Sequence, residues 1–189
     1  MGKIYYKADN SISGLMCEIK DKYHKDLKDC GAKIGIIMVA NPGKQALMLH
    51  GKPAAATVHS VALRDRITKG YDAEIAIDAE FWKNANENTR RALLDHELSH
   101  IVVKKVKVKK KNKRKDHDDD ETELEEHEQQ NMEIEYDDIG RPKLGIKKAD
   151  YDIGDGFLTI IARYGKDAVE YQNFMTLRGM IESVEEEMK

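Results

Sequence analysis

The spacing of apolar residues along the chain predicts a helix followed by a group of strands. In residues 11–27 an apolar side chain recurs every three or four positions, which is typical of a helix with one face packed on a core. Gly31 would end this helix in a left-handed conformation. Residues 32–40 form a nearly continuous apolar run and are predicted to be a buried strand. Shorter strands are expected at residues 45–50 and 57–63.

A second strand and helix follow this group. Residues 71–78 alternate between apolar and polar side chains, which is typical of a strand with one buried face. Asn86 is a predicted N-cap, because its short side chain can accept hydrogen bonds from the first turn of a helix. The helix after it would bury apolar residues on its flanks, namely Leu94, Leu98, Ile101 and Val102.

This second helix carries the sequence Asp95-His96-Glu97-Leu98-Ser99-His100, an H-E-x-x-H pattern. Residues four apart lie on the same face of a helix, so both imidazoles could bind one metal ion. Glu97 would then accept a proton from a metal-bound water, as in zinc peptidases. Alternatively, both histidines are ordinary helix residues without a ligand. The preceding strand and the capped helix favour the metal site.

A catalytic zinc site needs a third protein ligand and an open position for water. Asp150, Asp152 and Asp155 are the candidates, because they cluster at the start of a helix predicted at residues 156–164. These aspartates could instead be N-caps that are favoured by the helix dipole, and the two roles are compatible. A calcium site is a third possibility, but the remaining positions of an EF-hand loop are missing.

Charge is strongly segregated along the 189 residues, although the net charge is only −3. Residues 104–115 are almost wholly basic and residues 116–128 almost wholly acidic. Neither run can bury apolar surface, so residues 104–130 are predicted to be a mobile insert in a single domain spanning 1–189. Nucleic acid could bind the basic run, but the acidic run would repel phosphates. A charged helix is expected at 175–188, within a C-terminal helical extension covering 166–189.

The composition favours a cytosolic protein that does not associate with a membrane. No stretch reaches the ~20 apolar residues that span a bilayer, and the first residues do not contain the apolar segment of a signal peptide. Cys17 and Cys30 are the two cysteines. They are not in a C-x-x-C pattern and are expected to be reduced thiols.

Several of these segments resemble the phage metallopeptidase domain family, whose relatives include SprT-like and other minimal zincins. The resemblance covers roughly residues 10–165, and it is carried by residues 73–78, Phe81-Trp82, 90–100, 140–144, Phe157 and 163–165. It implies an α+β, minimal zincin-like fold with a small mixed sheet packed against an N-terminal helix and the H-E-x-x-H helix. It also implies a Zn²⁺ cofactor, a protein or peptide substrate and a bacterial host cell.

The resemblance also bears on the third ligand. In the family, a His-Asp pair stands just before the last core helix, and its histidine is the implied ligand. Here an ungapped alignment places Asp152 at that histidine, and an insertion places Ala149-Asp150 there instead. A carboxylate ligand can hold zinc, but its negative charge would make a bound water less acidic.

Three functions are compatible with these features. The first is a zinc-dependent metallopeptidase-like hydrolase in which Glu97 activates a zinc-bound water, with an extended substrate paired along the strand at 73–78. The second is a phage or mobile-element binding protein on a zincin scaffold that engages a host factor, with structural or residual metal. The third and weakest is a protease associated with nucleic acid through its basic run.

Overall fold

The computed structural model describes residues 2–44, 46–49, 51–107, 132–147 and 157–187. Its ten strands in the described residues are β1 (Ile4–Lys7), β2 (Ile34–Ala40), β3 (Met48–Leu49), β4 (Lys52–Pro53), β5 (Ala56–Ser60), β6 (Ala73–Asp78), β7 (Ile101–Val103), β8 (Lys105–Lys107), β9 (Met132–Ile134) and β10 (Leu144–Ile146). The helices are α1 (Asn10–Tyr23), α2 (Lys25–Asp29), α3 (Leu63–Lys69), α4 (Ala79–Asn84), α5 (Glu87–Ser99), α6 (Phe157–Tyr164) and α7 (Val169–Glu187), with a 3-10 turn at Gly165–Asp167. The predicted α+β class is confirmed.

The main sheet has four strands in the order β1-β2-β6-β5. It is mixed, because β2 and β6 are parallel while β1 and β5 are antiparallel to their neighbours. The strand predicted at residues 71–78 is β6, but the prediction that only one face is buried was wrong. Ile75 and Ile77 are fully buried on one face, and Ala76 is buried on the other. Pairing of a substrate with this strand is also contradicted, because β2 and β5 occupy its two edges.

Helices α1 and α5 pack on the same face of this sheet. Ile12, Met16 and Ile19 of α1 share one core with Ile75 and Ile77. The α5 residues in that core are Leu93, Leu94 and Leu98. Each fully buried side chain of this size contributes about 1.5–3 kcal/mol relative to an exposed one. The histidine-bearing helix is therefore fixed to the sheet by its own apolar side, as the pattern predicted.

The predicted N-terminal helix is interrupted at His24, where α1 ends and α2 begins. Gly31 has a φ of 68°, which confirms the left-handed turn after this helical segment. The strand predicted at 57–63 is shorter than expected, because Leu63 already begins α3. The final helix, predicted at 175–188, starts at Val169.

Short strand pairs follow α5. Strand β7 pairs with β10, and β8 pairs with β9. Ile101 and Val102 lie in β7 and not on the flank of the helix; Val102 is 37% exposed, so its predicted burial was wrong. The predicted charged insert begins at Lys104, just before β8, and the rest of it (residues 108–130) lies outside the described residues. The same holds for residues 148–156, which include Asp152 and Asp155.

Candidate metal centre and its cleft

Helix α5 presents His96, Glu97 and His100 near its C-terminal end. Its start is fixed by Asn86, whose side chain accepts a hydrogen bond from the Thr89 amide at 2.8 Å. This confirms the predicted N-cap. The helix ends at Ser99, and His100 is the capping residue with helical dihedral angles. His100 therefore remains one helical turn above His96.

The two imidazoles turn the same nitrogen toward each other. His96 Nε2 and His100 Nε2 are 3.0 Å apart, and the ring planes are inclined by 79°. Two nitrogens that each lie ~2.0–2.1 Å from one tetrahedral zinc ion are roughly 3.3–3.4 Å apart. The measured separation is a few tenths of an ångström shorter, so a small movement of the rings would accommodate a shared ion.

Both Nδ1 atoms bind hydrogen-bond acceptors from distant parts of the chain. His96 Nδ1 lies 2.6 Å from Glu170 Oε1, and His100 Nδ1 lies 3.0 Å from the carbonyl oxygen of Lys147. A carbonyl and a carboxylate only accept hydrogen bonds, so both Nδ1 atoms carry the proton. In neutral imidazoles the two facing Nε2 atoms then both present lone pairs, which repel unless a metal ion or a shared proton lies between them. The chemistry of this donor pair fits a metal ion.

Glu170 is a site residue that the sequence prediction missed. Its side chain is 16% exposed, like that of His96, and its Oε2 atom is buried with no hydrogen-bond partner among the described residues. The segment before it is anchored by Ala168, which is fully buried, and by Asp167, which accepts a hydrogen bond from Asn86 at 3.0 Å. The sequence did contain a signal for it: Phe174, Leu177 and Ile181 have helical spacing, and the same spacing extended backwards places Glu170 on the same helix face.

A second polar cluster packs against another face of α5. Asp95 is fully buried and accepts hydrogen bonds at 2.7 Å from His24 Nε2 and from Arg163 Nη1. Burial alone would raise the pKa of Asp95, but these two hydrogen bonds bring it below its ordinary value. Burial and, secondarily, the Asp95 carboxylate raise the pKa of Tyr164. The cluster joins the junction of α1 and α2 to α5 and α6, and these contacts restrict the rotation of the helix that carries the histidines.

Glu97 is 4% exposed and lines the same cleft as His96 and His100. The cleft has a volume of about 1600 Å³ and is bordered by β5, α6 and α7. The structure thus brings Glu97 and both histidines to one place and adds Glu170. Within the described ranges, no group of three or more histidine, cysteine or acidic side chains is arranged to hold a metal. Asp152 and Asp155, the predicted third ligands, lie outside those ranges.

A family model described as "Putative phage metallopeptidase" matches residues 4–182. The chain belongs to this family. The match to the phage metallopeptidase family extends well into α7 and therefore includes Glu170. Searches of curated proteins and of solved structures gave no match. None of the helices in the described part of the chain has the length and apolar character needed to cross a bilayer.

Proposed function

We propose that this member of the phage metallopeptidase family is a zinc-dependent peptidase with His96 and His100 as metal ligands. One observation carries the proposal. The two Nε2 atoms face each other at 3.0 Å while both Nδ1 atoms are held by acceptors. Metal-binding histidines usually donate their other ring N–H to a carboxylate or a carbonyl, which orients the ring and makes the ligand more basic. Here Glu170 supplies the carboxylate for His96, and Lys147 supplies the carbonyl for His100.

Glu97 is the proposed general base. When bound, zinc supplies Lewis-acid chemistry, which acidifies water and polarises a carbonyl group. Glu97 accepts a proton from the attacking water and later donates it to the leaving amine. Its burial beside the histidines limits competing hydration of the carboxylate.

Strand β5 is the proposed site of backbone pairing for an extended substrate. It is an edge strand of the main sheet, and its residues line the cleft that contains the histidines. Edge strands present backbone groups that can pair with an added peptide strand. This places the substrate one strand away from the position predicted from the sequence, because β6 is internal.

The substitution Glu97→Gln tests the catalytic role. We expect the variant to retain the zinc content of the wild type, because Glu97 is not a proposed ligand, and to lose hydrolysis, because an amide cannot accept the proton. Zinc content and cleavage of casein and of a peptide library would be measured on both proteins. If wild type and variant cleave nothing and both retain zinc, the peptidase proposal fails and a binding protein on the same scaffold is favoured.

The third ligand remains a prediction from the sequence. We expect Asp152→Ala, at the position given by the ungapped alignment, to weaken zinc binding, and Asp155→Ala tests the second-ranked ligand. Zinc affinity would be measured by competition with a chromogenic chelator at matched helix content. Full zinc binding by both variants would exclude these aspartates as ligands.

A further inference from the structure

Helix α7 has an apolar stripe on the face that also carries Glu170, the residue whose carboxylate binds His96. Phe174, Leu177 and Ile181 follow Glu170 by four, seven and eleven positions, which places all four on one helix face. The three apolar side chains are 60%, 59% and 58% exposed. Glu170, at the polar end of this stripe, contacts the candidate metal ligand His96, while the three apolar side chains are more than half exposed.

The stripe continues into the wall of the cleft. Phe174 and Leu177 line the same cleft as the two histidines. Two further large apolar residues from separate elements also line this cleft, Leu158 of α6 and Leu49 of β3, which are 51% and 37% exposed. Contiguous exposed apolar side chains on a soluble domain mark binding surfaces. The cleft therefore combines a polar end at His96 with an apolar wall.

We propose that this wall is a subsite for a large apolar side chain of a peptide substrate, with Phe174 and Leu177 as its specificity-determining residues. The inference rests on the proposed peptidase function. A helix rises ~1.5 Å per residue, so Phe174 and Leu177 lie about 6 and 10 Å beyond Glu170 along α7. An extended peptide advances ~3.3 Å per residue. The preferred apolar residue should therefore lie within a few positions of the scissile bond.

A peptide substrate is favoured over a second copy of the chain as the occupant of this wall, because the apolar stripe extends into the cleft that contains the histidines. Its first apolar residue, Phe174, shares the cleft with His96 and Glu97. A folded domain docked on Phe174 would cover the histidines, whereas an extended peptide reaches both the wall and the polar end. Binding sites of this kind are mostly apolar with a few polar groups that fix orientation.

Peptide binding to the Glu97→Gln protein tests the subsite without requiring turnover. The probe is an array of short peptides in matched pairs that differ only by Leu or Ser at one position. We expect the Leu member to bind about tenfold more tightly at the preferred position, as burial of one such side chain implies. Adding Phe174→Ser should remove this preference. Met175→Ser is the matched control, since Met175 is 43% exposed but lies outside the cleft.

The outcomes separate the subsite from the catalytic proposal. Equal binding of both peptides, or a preference that survives Phe174→Ser, would overturn the subsite. A preference that Phe174→Ser removes and Met175→Ser retains would support it, even if the wild type cleaves no peptide and the peptidase proposal fails. Cleavage by the wild type without a preference would retain the peptidase and reject the subsite. A dimer in sedimentation velocity that Phe174→Ser dissociates would assign the stripe to self-association and overturn the proposal.

Discussion

Removal of the Glu170 carboxylate is the sharpest test of how His96 is held. In Glu170→Ala the Nδ1–H of His96 loses its acceptor, so the imidazole can rotate and can adopt the other tautomer. Either change removes the Nε2 lone pair from its position 3.0 Å from His100 Nε2. We therefore expect weaker zinc binding from a residue that is not itself a proposed ligand.

The magnitude follows from the geometry of the contact. The 2.6 Å distance between His96 Nδ1 and Glu170 Oε1 is that of a strong, charge-assisted hydrogen bond, and both side chains are only 16% exposed. Loss of such an acceptor behind a metal-binding histidine typically lowers metal affinity by about 10–100-fold. This corresponds to roughly 1.4–2.8 kcal/mol. Glu170→Gln retains an oxygen acceptor but not its charge, so we expect it to lie between Glu170→Ala and the wild type.

Zinc affinity would be measured by chelator competition, with circular dichroism to establish that each variant is folded. Glu182→Ala is the matched control, because Glu182 is on the same helix but is exposed and pairs with Arg178. We expect the control to bind zinc like the wild type. An affinity for Glu170→Ala within about twofold of the wild type would refute the reasoning, since a shift that small is under 0.5 kcal/mol.

Two further predictions concern the support of the site. Asp95→Ala should destabilise the fold by about 3 kcal/mol in urea unfolding, because it leaves the Arg163 guanidinium without its buried partner; a loss below 1 kcal/mol would contradict this. Gly35→Ala should cost about 1–3 kcal/mol, because its new Cβ would overlap the ring of Tyr71. Tyr71→Ala in the same chain should relieve part of that loss, whereas an additive double variant would show that the overlap is not the cause.

The sequence was sufficient for those elements whose signals are local. The N-cap at Asn86 and the apolar run of β2 each depend on a few neighbouring residues, and both were found where predicted. The placement of His96 and His100 on one face of the helix could also be predicted, because four residues make about one helical turn. The burial of β6 on both faces could not be read from its alternation, because it depends on which elements cover the sheet.

The partners of the histidines could not be predicted from local patterns. Glu170 lies 74 residues from His96, and Lys147 lies 47 residues from His100. Lys147 accepts this hydrogen bond through its backbone carbonyl, which every residue type has, so the amino-acid sequence does not indicate it. Glu170 was also missed because the final helix was predicted to begin at residue 175, five residues after it.

The register of β7 and β10 explains why Lys147 is the residue that holds His100. Ile146 pairs with Ile101 in this antiparallel ladder, so the next residue on one strand stands opposite the preceding residue on the other. The Lys147 amide accordingly donates to the His100 carbonyl at 2.8 Å, and the Lys147 carbonyl meets His100 Nδ1. A shift of this register by one residue would remove the acceptor from His100 while the helix and its H-E-x-x-H sequence stayed intact. The histidine pair is therefore oriented only once β10 and α7 have packed against α5, which agrees with a family match that extends through both elements.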